Sequence, residues 1–320
     1  MPTREGRRHA DEVFAVAADS SAAARSAVAA SWIRSLNAYG LDPEAPAQVE
    51  RLDEARLAEA RDRLAPLLTA AQPALDRLFE AVGGAGCCVL LTDLDGVPLD
   101  RRGDPADDEL FSRAGLWTGM VWHEARAGTN GVGTALAEGR LITIHRDQHF
   151  FTRNTDLSCT GAPLFDHEGR LAGVLDVSSC RGDLDAGVLS LIGMAVGEAA
   201  RRIETAHFRQ AFGHARILLG PEAEAGALLA VDRDDLVVGA TRTARRLYGI
   251  SSEKIAQGLP ASAVLAPDEA GEDFDVAERG AVQRALARAG GNVSEAARAL
   301  RVSRATLHRK MNRLGVRPAR

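Results

Sequence analysis

The run Gly290-Gly291-Asn292, followed by Ala296, Ala297, Leu300, Ser303 and Leu307, constrains this chain more than any other stretch. Two adjacent glycines end whatever helix precedes them, because glycine accepts the left-handed conformation at a helix C-terminus. Asn292 can cap the next helix, and Glu295 three residues on completes a capping-box pattern. The spacing predicts a short helix over about 293–300, in which Ala296 and Ala297 are small enough to let another helix come close. Ser303 then caps a third helix over about 304–313, with Leu307, Met311 and Leu314 inward. Gly315 stops it, and Pro318 forbids continuation. A preceding helix over about 276–289 offers Val282, Ala285, Leu286 and Ala289 on one face. Short helices joined by a tight turn in this way form a helix-turn-helix.

The outward face of the third helix is Arg304, Ala305, Thr306, His308, Arg309, Lys310 and Arg313. Residues 278–320 carry 11 Lys and Arg against Glu278 and Glu295, a net +9; the whole chain is −5, so the other 277 residues carry −14. Such a split points to double-stranded DNA as the partner of one end only. A helix fits the major groove with its N-terminal residues at base edges, so Arg304, Ala305, Thr306 and His308 are candidate base readers. Arg309, Lys310 and Arg313 lie further along and are expected at phosphates, which position without specifying sequence. The chain is arginine-rich throughout, with Lys254 and Lys310 its only lysines. A basic helix alone could therefore be a solvated face. Turn, caps, core spacing and charge together favour DNA.

Residues 277–316 resemble the Fis-type helix-turn-helix, through Gly291, Asn292, Ala296, Ala297, Leu300, Val302, Ser303, Thr306, Leu307, Arg309 and Lys310. Arg301 stands where that pattern has a turn glycine, and His308 where a tyrosine is common. The resemblance implies binding as a homodimer to a palindromic site.

Chain length allows two or three domains. The N-terminus is too charged to begin a signal peptide and no apolar run reaches membrane-spanning length, so a cytoplasmic protein without membrane partners is expected. Cys87, Cys88, Cys159 and Cys180 show neither zinc spacing nor a disulfide framework. Residues 1–49 are expected to form a helical arm, with helical patterns over 22–36 and again over 52–82, separated by the turn-rich 38–46. Strands are expected at 87–92, 141–145, 162–165 and 171–177, the last two joined by Asp166-His-Glu-Gly169; Asp93-Leu-Asp-Gly96 is another hairpin turn. Asp183 is expected to cap a long helix whose stripe is Leu184, Val188, Leu191, Ile192, Ala195, Ala199 and Ile203. Strands bracketed by long helices predict an α+β domain over 50–205.

Gly128-Thr-Asn-Gly-Val-Gly-Thr134 is not a dinucleotide loop, because Leu136 occupies the place of the third glycine. It reads as a loop entering a short helix. With Trp122-His-Glu124, His145, His149-Phe150, Ser158-Cys159, Ala162–Phe165 and Gly173–Ser178 in this order, it resembles the GAF sensor domain of acetoin-catabolism and dihydroxyacetone-kinase regulators. Ser31-Trp32-x-Arg34-Ser35 and Leu41-Asp42-Pro43 match the helical arm of that group, and the likeness covers about residues 25–205. It implies an antiparallel sheet with helices behind it and an unknown small-molecule effector between sheet and loops. Trp117, Trp122, His145, Phe150, Cys159 and Asp176 are the expected pocket residues; the bland alternative is that the tryptophans are core and the histidines surface loops. His145, His149 and Cys159 could donate to a metal, but their spacing fits no metal motif, and no cofactor is expected.

Residues 227–265 faintly resemble the first half of a PAS domain, with Thr241 at its usual asparagine, and are too short for a whole one. They are expected to form a degenerate remnant or structured linker within 206–275, with a hinge over 267–275 before a DNA-binding domain at 276–320. Regulators with these two ends usually carry an AAA+ ATPase between them. Neither Lys254 nor Lys310 sits in the Gly-x-x-x-x-Gly-Lys loop that an ATPase needs, so no ATPase is expected. The fold expected is α+β multidomain: GAF sheet with flanking helices, short PAS-like linker, all-α helix-turn-helix. Three functions stand side by side: a ligand-responsive transcription regulator, with contact to RNA polymerase as one route of action; a partner-controlled regulator or antagonist of a full-length relative; and an enzyme such as a sulfoxide reductase. The enzyme is disfavoured because Cys87 and Cys88 would point to opposite faces of a strand and lack a general base.

Overall fold

Helices α1 (Arg4–Ala18), α2 (Ala22–Arg25) and α3 (Ala27–Ile33) form the N-terminal arm, and α3 runs into a π-helical turn at Arg34–Ala38. The single helix expected over 22–36 is broken because Ser26 is extended (φ −146, ψ 128), its hydroxyl accepting from the Ala29 N–H at 3.4 Å. The computed structural model describes residues 4–19, 21–46, 50–181, 184–220, 226–265 and 274–316. The chain divides into two units, Met1–Leu259 and Pro260–Arg320.

Asp53 caps α4 (Glu54–Arg63), and α5 (Ala65–Val82) follows after a break at Leu64. Sequence periodicity runs straight through this point. Pro66 explains the break, since proline has no N–H to continue a helix and is tolerated only in a first turn. There follow β1 (Cys87–Thr92), β2 (Pro98–Arg102), α6 (Asp108–Arg113), α7 (Glu124–Ala127), α8 (Gly131–Glu138), β3 (Ile142–His145), β4 (Ser158–Phe165), β5 (Leu171–Ser179) and α9 (Ala186–Ala211). The strands pair antiparallel in the order β2-β1-β5-β4-β3. Aspartate side chains close the hairpins. Asp93 accepts from the Asp95 and Val97 N–H groups at 3.0 and 2.9 Å, and Asp166 accepts from those of Glu168 and Arg170 at 2.8 and 2.9 Å.

The period-two alternation of the strands separates two cores. On the helix side, Val89, Leu91, Leu164, Leu175 and Val177 pack against Leu75 and Leu78 of α5 and Val196 and Ile203 of α9. On the loop side, Cys88, Leu90, Cys159 and Val174 pack against Phe111, Leu116, Trp122 and Val132. Cys87 and Cys88 do face opposite ways, into different cores. Asp185, not Asp183, caps α9, accepting from the Val188 N–H at 2.9 Å; Asp183 lies outside the described residues. Leu191 is no part of the buried stripe: it is 61% exposed, as Met194 is 62%, because the inward stripe runs Ile192, Val196, Ala199, Ala200 and Ile203.

A second, smaller sheet follows α9. Strands β6 (Arg216–Leu219), β7 (Leu228–Val231) and β8 (Val237–Ala240) form an antiparallel sheet, followed by α10 (Arg242–Tyr248) and α11 (Ser252–Ala256). Thr241 caps α10, and its hydroxyl also donates to the Gly226 carbonyl at 2.7 Å, tying the start of β7 to the end of β8. The far end of α9 supplies Phe208 to the core of this small sheet, beside Leu228 and Ala230. One helix therefore belongs to both sheets.

The second unit holds α12 (Ala261–Leu265), α13 (Phe274–Arg288), α14 (Val293–Ala299) and α15 (Arg304–Leu314). Val282, Leu286, Ala296, Ala297, Leu307, Met311 and Leu314 close a core of their own. The hinge expected over 267–275 falls mostly outside the described residues, as does Pro318. No helix among the described residues is long and apolar enough to cross a membrane.

Candidate functional site

The helix-turn-helix is built by its caps. Gly290 and Gly291 have φ of 55 and 85, the left-handed region that lets the chain leave α13 and turn at once. The Asn292 side chain accepts from Ser294 and Glu295 N–H groups at 3.0 and 3.2 Å. Only half of the expected capping box forms, because the Asn292 N–H is already donated to the Ala289 carbonyl at 2.9 Å. Arg301 takes φ 53, so the turn keeps its left-handed residue although the glycine is gone. Ser303 caps α15, accepting from the Thr306 N–H at 3.1 Å.

On α15, Arg304, Ala305, His308, Arg309 and Arg313 are exposed, while Thr306 and Lys310 are half-buried. Lys310 and Arg313 both pair with Glu278 of α13. Two of the cations expected at phosphates are thus partly engaged within the unit. The sequence reading missed this clamp, although Glu278 is one of only two acids in the basic tail.

On the sheet domain, Trp122, Cys159 and Asp176 lie on the loop side, with Cys159 and Asp176 both beside Gly131. Trp122 and Cys159 are in the same core, and the Trp122 indole donates to the Gly115 carbonyl at 2.8 Å. Trp117 reaches this face through Arg101, whose guanidinium stacks 4.2 Å from its ring. The other two expected pocket residues are elsewhere. Phe150 packs with Val13, Trp32 and Phe151 under the N-terminal arm. His145 alternates to the opposite side of β3 from Ile144 and contacts the Ser158 hydroxyl at 2.7 Å. His149 is buried, and that burial pushes its imidazole down to about 4, so it is neutral. Among the described residues no group of three His, Cys, Asp or Glu side chains could hold a metal. Burial raises all four thiols, Cys87 and Cys180 to about 11 and Cys88 and Cys159 well above their ordinary value, so none is a nucleophilic thiolate near neutral pH.

The glycine-rich run turns out to dock the arm. Asn130 caps α8, accepting from Gly133 at 2.8 Å and donating to the Trp122 carbonyl at 2.9 Å. A Cβ at Gly133 would lie 2.5 Å from the Glu124 nitrogen, so only glycine allows that approach. Glu124, 1% exposed, receives Arg34 Nε at 2.9 Å and Nη2 at 3.0 Å, together with the Ser31 hydroxyl. Ser31 also contacts Thr129 at 2.6 Å. Trp32 donates to the Gln148 carbonyl at 2.9 Å, and His9 Nε2 lies 3.0 Å from the His149 carbonyl. The Ser-Trp-x-Arg run and the Gly-Thr-Asn-Gly run are two halves of one buried contact. Arg101 carries no signal in sequence spacing, since its partners Asp108, Phe111 and Trp117 come from other segments.

Residues 2–202 match the MimR N-terminal domain, and residues 274–314 match the bacterial regulatory protein, Fis family. The chain belongs to the MimR N-terminal domain family. Among relatives of this family member, the acetoin catabolism regulatory protein of Cupriavidus necator is 36% identical over 241 residues, 73% of this chain and 36% of the relative. The acetoin dehydrogenase operon transcriptional activator AcoR of Bacillus subtilis is 30% identical over 186 residues, 58% of this chain and 30% of AcoR. The chain spans about a third of the length of these relatives. In fold it is similar to a chain of the crystal structure of the E. coli DhaR(N)-DhaL complex, with TM-score 0.51, 21% identity, and coverage of 71% of this chain and 77% of that one.

Proposed function

We propose that this chain is a sequence-specific DNA-binding transcriptional regulator, in which a GAF sensor over residues 50–205 responds to a small molecule and controls the helix-turn-helix at 276–320. The observation that carries this reading is α15. It is capped, packed on its own core, and presents Arg304, Ala305, His308 and Arg309 outward beside the half-buried Thr306. The relatives named as an acetoin catabolism regulatory protein and an acetoin dehydrogenase operon activator support it. Arg304 and its neighbours read base edges, and the remaining cations meet phosphates. The unit acts as a homodimer on a palindromic site in the cytoplasm. Residues 206–275 contain no Gly-x-x-x-x-Gly-Lys loop, so control passes without ATP hydrolysis, through the helix that the two sheets share.

A second reading has the sensor domain answer to a protein. Leu191 and Met194 on α9 are exposed apolar side chains, and the N-terminal part of DhaR was crystallised in complex with DhaL. Genomic footprinting of the chain is the test. Discrete protected sites near genes whose expression responds to one metabolite support the first reading. Sites whose occupancy changes only with a protein partner support the second, and no discrete sites would sink both.

A further inference from the structure

We infer that the loop-side face of the five-stranded sheet is built to take a short-chain hydroxy or oxo acid, with Arg101 gripping its carboxylate and Asp176 meeting its second oxygen. This rests on reading the domain as a small-molecule sensor and names the ligand class.

Arg101 of β2 pairs with Leu90 of β1, and Leu90 pairs with Asp176 of β5. Residues directly opposite on neighbouring strands share a face. Arg101, Leu90 and Asp176 therefore form one row across three strands, on the side covered by Phe111, Leu116 and Trp122. Two strand spacings separate the ends of the row, roughly 10 Å between Cα atoms.

The guanidinium is firmly held. Arg101 Nη1 meets Asp108 at 2.8 Å, with Trp117 and Phe111 ring centres 4.2 and 5.5 Å from its carbon. Gly103 leaves it room, since a Cβ there would fall 2.3 Å from Nη2. Yet Nε and Nη2 are buried without any hydrogen-bond partner. Those two atoms form the lateral edge of the guanidinium, the edge that binds a carboxylate through two parallel bonds. At the other end of the row, Asp176 is 1% exposed and its Oδ2 accepts from the Ser178 hydroxyl at 2.5 Å, while Oδ1 has no partner. Burial pushes this carboxyl up to about 7, so near neutral pH much of it keeps a proton that it can donate.

Leaving a buried donor or acceptor unpaired costs stability, and a guanidinium edge more than most. The Arg101 and Asp176 losses stand in one row, while Asp108 Oδ1, also without a hydrogen-bond partner, lies against Nη1 outside it. A carboxylate on Nε and Nη2, and a hydroxyl or carbonyl oxygen accepting from Asp176, would satisfy them together. Asp108 can stay on Nη1 throughout. The covering helix α6 carries both Asp108 and Phe111, so one segment both covers the face and contacts the anchor.

The test is thermal unfolding of the full chain with millimolar sodium lactate or pyruvate, against lactamide and sodium chloride at matched ionic strength. Lactate and pyruvate should raise the midpoint by several degrees, and lactamide should not. Arg101→Met should abolish the shift because it removes the lateral fork; the free protein also loses the Asp108 pair and the ring stacking, so the readout is the lactate-dependent shift within each protein. Arg101→Lys keeps the charge but loses the fork, and should weaken lactate binding by about tenfold or more. Equal shifts from lactamide and lactate, or a lactate shift that survives Arg101→Met, would overturn the carboxylate assignment and leave a sensor of another ligand. No shift of the wild type with lactate or pyruvate would overturn the proposal, make Arg101 a structural prop and remove this face as a carboxylate site.

Discussion

Single residues decide whether the arm and the sheet domain act as one body. Glu124 is 1% exposed and receives a forked pair of bonds from Arg34, itself 31% exposed. Removing Arg34 would leave a nearly buried carboxylate with hydroxyl donors alone. Arg34→Ala should cost roughly 2 kcal/mol, below the roughly 3–5 kcal/mol for breaking a fully buried pair, because Arg34 keeps some solvent. Urea unfolding checks this, and a change below about 0.5 kcal/mol would mean that the arm docks through Trp32 and His9 instead. Asp176 makes a prediction in pH. Its folded value of about 7 lies above its ordinary 3.8, so the folded chain holds a proton that the unfolded chain releases. Its contribution is fully present below about pH 4 and is lost as pH rises through 7. Asp176→Asn should therefore flatten the fall in stability between pH 5 and pH 8. Glu204, also pushed up to about 7 by burial, leaves a residual slope in both proteins, so the difference between the two curves is what counts.

Elements were legible in the sequence where punctuation is local. The caps at Asn292 and Ser303, the aspartate turns at Asp93 and Asp166, and the alternation that sends Cys87 and Cys88 to opposite cores follow from neighbouring residues alone. What was not legible depends on distant partners. Leu191 fits a helical stripe as well as Ile192 does, and only packing against the sheet decides which is buried. Phe150 and His145 stood close to pocket residues in sequence, but the arm claims one and strand alternation turns the other away. Arg101 and Glu278 act through residues from other elements, so spacing gave no sign of either. The turn between α14 and α15 makes the test at this scale. Arg301 holds φ 53, which costs a side-chain-bearing residue about 1 kcal/mol relative to glycine. Arg301→Gly should stabilise the C-terminal unit by up to about that amount in calorimetry, and a loss of stability would mean that the arginine side chain contributes more than its backbone strain removes.

At the scale of the whole molecule, charge and shared structure divide the labour. The basic tail carries +9 against −14 on the other residues, so contact with DNA falls to one unit. Within the other unit, α9 contributes to both sheet cores, so one helix is common to the two sheets. The central claim is that α15 reads DNA. The measurement that tests it most directly is fluorescence anisotropy of the full chain on a fragment recovered by footprinting, titrated at several salt concentrations with wild type and Arg304→Ala/Arg309→Ala. Wild type should bind with an affinity that falls steeply and linearly in log salt, and the double variant should lose at least about tenfold affinity and most of its preference over unrelated DNA. A double variant that keeps both affinity and preference would contradict the assignment of α15 as the reading helix.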